Sequence, residues 1–222
     1  MDRLLTNISI EVNEKLYVKK PDSSELGKKI IEHSILLIDE IGFEAFTFKK
    51  LGERISSNES SIYRYFENKH KLMLYLSSWY WSWKEYQLVF ATHSIQDPAK
   101  KLEEAIKIVT QETIEDASNS YVNEAVLFRI IISEFTKTLL TKEVDAENKE
   151  GFFKVYKNVI SRIIEMIENV NPNYPFAKSL ASSIVEGALH QHFLKNHFGT
   201  ITNFSNKTSS EFYLNMINKI VI

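Results

Sequence analysis

The chain has 222 residues, of which 44% are hydrophobic and 25% are charged, as in a folded globular protein. Its formal net charge is −2 and it contains no cysteine. These values exclude a strongly basic coat for indiscriminate nucleic-acid binding, disulfides and thiolate metal sites. Six glycines and four prolines are about half of the average usage, which favours long helices over sandwiches, barrels and Gly-rich nucleotide folds.

Nothing in the sequence predicts a membrane segment. The longest apolar runs, such as residues 130–132, are far shorter than the ~20 residues of a membrane-spanning helix. The first twenty residues have neither the apolar core nor the small-residue cleavage site of a signal peptide. We therefore expect a cytoplasmic protein.

The first predicted element is an arm over residues 1–22. Apolar and polar residues alternate over residues 7–18, with Ile8 and Ile10 on one side. This period predicts an extended arm or a short hairpin that turns at Asn13 and Glu14. Pro21 ends the pattern, and Ser23 or Ser24 is the N-cap of the first helix.

The remainder of the chain is predicted to be helical. A first helix runs to Gly42, two short helices follow near 48–55 and 59–66, and a long helix runs from about Asn68 to Thr92. The charged stretch 141–150 is expected to be a solvated loop. Further helices are expected at 98–116, 120–140, 149–170, 175–198 and 208–220. We therefore predict an all-α fold, in which a three-helix N-terminal domain joins a larger helical bundle through the long helix.

Residues 47–72 predict a helix-turn-helix. Two helices of about two turns are separated by a short polar turn, and the apolar residues Leu51 and Ile62 point inward from each helix. Asn58 caps the second helix. Since the exposed side chains of the second helix have no core to fill, the pair is suited to insertion into a DNA major groove.

Ten residues in this stretch are candidates for DNA contacts. Polar residues of the second helix are placed to read base edges, namely Glu59, Ser60, Ser61, Tyr63 and Arg64. Residues near helix starts and flanking the second helix are candidate phosphate contacts, namely Thr47, Lys49, Lys50, Tyr65 and Lys69. In the alternative, structural interpretation, the tyrosines pack on the first helix of the pair and the lysines are only solvated or paired with neighbouring acids.

Residues 24–76 resemble the DNA-binding domain of the TetR family of transcriptional regulators. The resemblance rests on Gly42-Phe43-Glu44-Ala45, on Thr47 and Leu51, and above all on residues 62–69, Ile-Tyr-Arg-Tyr-Phe-Glu-Asn-Lys. It implies an all-α homodimer, usually a repressor. The helix-turn-helix domain would span residues 23–72, and a ligand-binding and dimerisation domain would span 73–222.

Several residues depart from the family pattern. Gly52 stands where alanine is usual, and the turn has Ser56 and Ser57 where glycine and an apolar residue are usual. Glu59 places an acid at the start of the recognition helix. Residues 1–73 carry 12 basic and 12 acidic residues and are therefore neutral. These features favour an alternative function, a helical ligand-binding or protein-partner module that no longer binds DNA.

The long helix carries an aromatic stripe. Trp79, Trp83, Tyr86 and Phe90 fall on one helical face. Such a stripe is most often part of a core. The resemblance favours a second interpretation, an effector pocket for an apolar or aromatic molecule. Its candidate residues are Trp79, Trp83, Tyr86, Phe128 and Phe135.

The sequence shows no catalytic or metal-binding motif. It has no Gly-rich phosphate loop and no Ser/His/Asp arrangement, and His190 and His192 project in different directions on a helix. We therefore expect no enzyme activity, no metal and no cofactor.

The expected partners are a double-stranded DNA operator, a small-molecule effector and a second copy of the chain. Small residues at 177–188 permit close helix approach. Residues 175–198 and the last helix, 208–220, resemble the pair of helices that forms the family's dimer interface.

Overall fold

The computed structural model describes residues 10–113, 121–204 and 206–222, which form α-helices, three 3₁₀ turns and connections, with no β-strand. None of the described helices is both long and apolar enough to cross a membrane. The predicted all-α fold is therefore confirmed. Ten α-helices are described: α1 Glu25–Ala45, α2 Phe48–Arg54, α3 Glu59–Tyr63, α4 Lys69–Thr92, α5 Pro98–Thr110, α6 Glu124–Leu139, α7 Val144–Lys149, α8 Lys154–Val170, α9 Ala177–His197 and α10 Ser209–Ile220.

Side-chain caps explain where many of these helices begin. Ser24 accepts a hydrogen bond from the Gly27 N–H at the start of α1. Asp97 caps α5, and Pro98 occupies its first turn, where the missing N–H costs nothing. Thr208 and Glu211 form a reciprocal capping box at α10. Local sequence therefore sets these boundaries. Inside α1, Gly42 has a positive φ of 77°, which interrupts the helix near its predicted end.

Residues 10–23, which we call the N-terminal strap, do not form the hairpin that is one of the two predicted alternatives for the arm. Residues 14–16 instead form a 3₁₀ turn that Asn13 caps, and Leu16 is buried. Ile8, part of the predicted alternation, lies outside the described residues. A second 3₁₀ turn begins at Pro21, and a Cβ at Gly27 would overlap the Pro21 carbonyl oxygen. The close approach of the strap to α1 therefore requires glycine at position 27.

The predicted loop over 141–150 is wrong in part, because it contains α7. This helix lacks a strong apolar period, but tertiary contacts stabilise it. The imidazole Nε2 of His70 lies 2.7 Å from the carboxylate of Glu147 in α7, and three residues beyond the helix the Lys71 ammonium lies 4.0 Å from the centre of the Phe152 ring. Partners distant in sequence thus hold this short charged helix in place.

The chain divides into two compact units. Unit 1 comprises the chain up to Ser82 together with Thr113–Phe153, and unit 2 comprises Trp83–Glu112 together with Lys154–Ile222. Unit 1 therefore contains α1–α3, the first part of α4, α6 and α7, and the predicted helix-turn-helix domain over residues 23–72 lies within it. In unit 1, α6 packs on α1, and Arg129 forms two hydrogen bonds with the Asp39 carboxylate at 3.0 and 2.7 Å.

Unit 2 is a helical bundle in which α9 packs against α8, α5 and α10. The small residues Ala181 and Ala188 of α9 are buried within the chain. A Cβ at Gly187 would lie 2.5 Å from the Tyr213 hydroxyl oxygen, so glycine at this position leaves room for the Tyr213 side chain of α10. Part of the small-residue pattern therefore serves packing inside this chain.

Unit 2 also buries a lysine side chain. Lys84 of α4 is 2% exposed, and its ammonium donates to the Ile108 carbonyl at 3.2 Å. His192 lies 2.9 Å from the Thr110 carbonyl at the same end of α5. Both contacts are of the kind that a helix C-terminus favours. Burial lowers the pKa of Lys84 from its ordinary 10.5 to about 7, and burial also lowers that of His192.

We expect Lys84→Met to stabilise the protein at pH 7 by about 1–4 kcal/mol, as when apolar side chains replace other buried charges. In the wild type the unfolded chain binds more protons than the folded chain between pH 7 and about 10. The stability of the wild type relative to Lys84→Met should therefore rise with pH between pH 7 and about 10, and it should stay constant below pH 7. Thermal unfolding of both proteins from pH 6 to 9 measures this difference. A lower midpoint for Lys84→Met at pH 7 would contradict it.

Candidate nucleic-acid interface

The site is built on the short helices α2 and α3. Thr47 caps α2 by accepting a hydrogen bond from the Lys50 N–H, and Asn58 caps α3 by accepting one from the Ser61 N–H. Leu51 of α2 and Ile62 of α3 are fully buried, as is Phe66 beyond α3. This apolar contact holds α3 with its polar side outward, which is the geometry of a helix-turn-helix.

The turn between the two helices explains the unusual residues in this region. A Cβ at Gly52 would lie 2.8 Å from the Ser57 carbonyl oxygen, and the Ser57 N–H donates to the Gly52 carbonyl at 2.9 Å. Ser56 has the left-handed φ of 53°. Glycine in α2 therefore makes room for a turn in which serine takes the conformation that glycine usually adopts.

The predicted base-reading residues lie together on α3 and at its end, but their exposure differs. Ser60, Tyr63 and Arg64 are exposed, whereas Glu59 and Ser61 are half-buried. The hydroxyls of Ser60 and Ser61 donate to the Asn58 carboxamide oxygen at 2.8 and 2.6 Å.

Tyr63 has a double role. Its side chain is 48% exposed, yet its ring lies edge-on to Phe48 of α2 at 5.0 Å between ring centres. Thus Tyr63 braces the helix pair while its outer edge faces solvent.

Three predicted phosphate contacts lie at the start of α2. Thr47, Lys49 and Lys50 are all exposed. The Lys50 ammonium donates to the Ala45 carbonyl at 2.9 Å, so this side chain folds back over the end of α1. The N-terminus of α2 and these side chains together form a polar, cationic edge.

The other two predicted phosphate contacts are engaged within unit 1. Tyr65 is 4% exposed, and its hydroxyl shares a 2.7 Å hydrogen bond with the Ser24 hydroxyl. Lys69 is half-buried and donates to the carbonyls of Phe43, Glu44 and Phe46 at 3.1, 3.0 and 3.3 Å. Tyr65 is thus a core residue rather than an exposed contact. Lys69 caps the end of α1, which leaves its proposed phosphate contact as a second role.

The predicted ligand residues do not share one compact unit. Trp79, Phe128 and Phe135 belong to unit 1 and are buried there. The rings of Phe128 and Phe135 lie 6.1 Å from Tyr80 and 5.6 Å from Trp81, respectively. Phe128 and Phe135 are thus part of a packed aromatic core, and Trp79 is buried in the same unit.

The remaining two predicted ligand residues, Trp83 and Tyr86, belong to unit 2 and are half-buried. The ring of Tyr86 stacks on Phe90 at 6.0 Å, and Phe90 is 57% exposed. These side chains are more accessible than those of the aromatic core.

A cavity of about 430 Å³ lies in unit 2, away from all five predicted ligand residues in sequence. Sequence patterns did not indicate it, because its lining mixes polar and apolar residues from α9, α10 and the connection between them. The lining residues are Gln191, Ile201, Thr202, Asn203, Phe204, Lys207, Glu211, Phe212 and Asn215. Within the described residues, no group of three or more His, Cys, Asp or Glu side chains is arranged to hold a metal ion.

Comparison with known proteins identifies this helix-turn-helix. Residues 30–76 match the family model of the bacterial regulatory proteins of the tetR family. The predicted resemblance to the TetR family is therefore confirmed. The family model describes regulatory proteins, which agrees with the prediction that the chain is not an enzyme. No curated protein sequence matches the chain significantly.

Solved structures are similar over most of the chain. A tetR-family regulatory protein from Rhodococcus RHA1 has a TM-score of 0.62 and 14% identity, and the match covers 89% of this chain and 97% of that one. Superantigen PfiT has a TM-score of 0.61 and 14% identity, covering 91% and 98%. AibR in complex with isovaleryl coenzyme A and operator DNA has a TM-score of 0.56 and 17% identity, covering 86% and 96%. At these identities the similarity shows the fold.

We expect Gly52→Ala to destabilise unit 1, although alanine is the better helix former by about 1 kcal/mol, because its Cβ would press on the Ser57 carbonyl. Ser56→Gly should instead stabilise it by up to about 1 kcal/mol, since the left-handed conformation costs glycine nothing. Chemical denaturation of both variants measures the free energy of unfolding, which should fall for Gly52→Ala and rise for Ser56→Gly. A stabilising Gly52→Ala would show that the turn relaxes easily.

Proposed function

Since residues 30–76 carry the tetR-family helix-turn-helix, we propose that the chain is a DNA-binding transcriptional repressor that a small molecule controls. The single observation that carries the proposal is the outward polar face of α3, held by the buried Leu51 and Ile62. Because Tyr63 and Arg64 are exposed there, they are available to meet base edges in a major groove.

Nine of the ten predicted DNA residues receive a role in this proposal, and the buried Tyr65 does not. Glu59, Ser60, Ser61, Tyr63 and Arg64 belong to the base-reading helix. Glu59 would accept a hydrogen bond from a cytosine amino group. Thr47, Lys49 and Lys50 set the register through phosphates, and Lys69, whose three N–H donors reach carbonyls at the end of α1, adds its positive charge to this edge.

We also propose a homodimer formed through residues 175–198 and 208–220. Four large apolar side chains at α9, α10 and their connection support it, because Phe198, Ile201, Phe212 and Ile220 are 53%, 68%, 46% and 42% exposed in the single chain. A stable interface would bury on the order of 1,200 Å² or more. The dimer would place two recognition helices about 34–36 Å apart, one turn of DNA.

An apolar or aromatic effector would release the DNA. α4 supports this coupling, since this one helix begins directly after the helix-turn-helix and extends from unit 1 into unit 2. Trp83 and Tyr86, half-buried on its unit 2 portion, are the proposed contacts. Trp79, Phe128 and Phe135 would transmit the change through the core of unit 1. A coupling free energy of about 1–3 kcal/mol would change DNA affinity about 5- to 150-fold.

A second function has support from particular residues. Glu59 at the start of α3 repels phosphate, and residues 1–73 have no net charge. The chain would then be a helical ligand-binding or protein-partner module without DNA affinity. The fold alone does not decide between the two functions, because superantigen PfiT shares it.

We expect Tyr63→Ala to weaken binding to the DNA flanking the chain's own gene by about 1–3 kcal/mol, the usual value of one base contact. Fluorescence anisotropy at fixed, physiological salt measures the affinity. Leu140→Ala is the control, because Leu140 is an exposed apolar residue of unit 1, 86% accessible against 48% for Tyr63, and lies outside both the recognition helix and the proposed dimer segments. Sedimentation analysis of the complex should give two chains per DNA site.

Wild-type protein that binds flanking DNA no better than random DNA would overturn the proposed repressor and favour the second function. Equal affinities of wild type and Tyr63→Ala would remove Tyr63 from the contact set. Tyr63→Phe separates packing on Phe48 from contact through the hydroxyl, because it keeps the ring.

The effector proposal is tested with the three tryptophans, which all lie on α4 at positions 79, 81 and 83. Titration with apolar and aromatic compounds should shift their emission, and the active compound should release DNA. Trp83→Phe should weaken compound binding, because Trp83 is a proposed contact. Flat emission and unchanged DNA binding across the compound panel would rule out an apolar effector.

A further inference from the structure

The N-terminal strap is attached to the helix-turn-helix at one defined point. The Val18 N–H donates to the Tyr65 carbonyl at 2.8 Å, directly after the recognition helix. The Tyr17 ring lies edge-on to Tyr75 of α4, with 6.1 Å between ring centres. Because a backbone hydrogen bond and a ring contact fix two successive residues, the position of Lys19 next in the chain is set as well.

Lys19 stands over the side chain that the sequence predicted as a phosphate contact. Its ammonium lies 5.2 Å from the centre of the Tyr65 ring, and the Lys19 side chain is exposed. Tyr65 itself is buried, and its hydroxyl is occupied by the Ser24 hydroxyl. The strap thus covers a phenol and presents a cation at the same end of α3.

The three lysines of the strap differ in their partners. The Lys15 ammonium lies 2.5 Å from the Glu150 carboxylate, and that of Lys20 lies 3.3 Å from the Asp22 carboxylate. Among the described residues, no carboxylate lies within ion-pair distance of Lys19. Of the three, Lys19 therefore has its charge most available to an external anion.

We propose that Lys19 contacts a DNA backbone phosphate beside the end of the recognition helix, in place of Tyr65. This contact rests on the proposed DNA binding and adds a site outside the helix-turn-helix itself. A lysine ammonium suits this role because it needs no fixed geometry at the phosphate. The contact would strengthen binding to every sequence and would not affect base preference.

The test is the salt dependence of DNA affinity in Lys19→Gln, with Lys15→Gln as the matched control from the same strap. Each phosphate contact contributes about 0.9 to the slope of log affinity against log salt. We therefore expect Lys19→Gln to lower the slope by about 0.9 per chain, both on flanking and on random DNA. Lys15→Gln should keep the wild-type slope, and Lys19→Arg should restore it.

An unchanged slope for Lys19→Gln, an equal loss for Lys15→Gln, or failure of Lys19→Arg to restore the slope would each overturn the contact. Thermal unfolding of each variant is measured alongside. A midpoint equal to that of the wild type shows that the strap is still in place, so that a lower slope reports a lost phosphate contact. If the slope falls only together with the midpoint, the role of Lys19 is packing and the proposal is wrong. Wild-type protein without DNA affinity would instead overturn the proposed function, and this contact with it.

Discussion

The candidate interface depends on the buried contact between α2 and α3. Leu51, Ile62 and Phe66 are inaccessible to solvent, and this packing orients a five-residue helix that is too short to be stable alone. Burial of these side chains is worth several kcal/mol. Since the apolar side of α3 is buried inside unit 1, its polar residues face solvent. The same packing therefore provides both the stability of the helix and the exposure of its polar surface.

Much of this architecture is predictable from the sequence, because helix caps and apolar spacing involve residues that are close together in the chain. Caps at Thr47 and Asn58 and the proline at position 98 mark helix starts, and apolar spacing identified the buried residues of α2 and α3. By contrast, three of the six residues of α7 are charged, and the helix contacts His70, which is remote in sequence. A periodicity argument cannot detect contacts of that kind.

The candidate sites show the same difference between local sequence signals and contacts that form only in the folded chain. The sequence around Tyr65 predicts a phosphate contact, whereas in the structure its side chain is 4% exposed, shares a hydrogen bond with the Ser24 hydroxyl and lies under the Lys19 ammonium of the strap. An aromatic stripe predicts a buried helix face, but it does not show whether the rings pack on each other or on a ligand. Phe128 and Phe135, the predicted ligand residues of α6, pack on aromatic rings of α4 within unit 1. The cavity of unit 2 draws its lining from α9, α10 and the segment between them, so no single stretch indicates it. The departures at Gly52 and Ser56, which look unfavourable one by one, are explained jointly by a single turn.

Gly27 has a consequence for recognising related chains. Its missing side chain leaves the space that the Pro21 carbonyl occupies, so the strap and this glycine are sterically coupled. A homologue that lacks the strap is free to replace the glycine with a better helix former, whereas one that retains the strap is not. Position 27 is therefore a sequence marker. In an alignment of related chains, glycine at this position is expected wherever the N-terminal strap packs on α1.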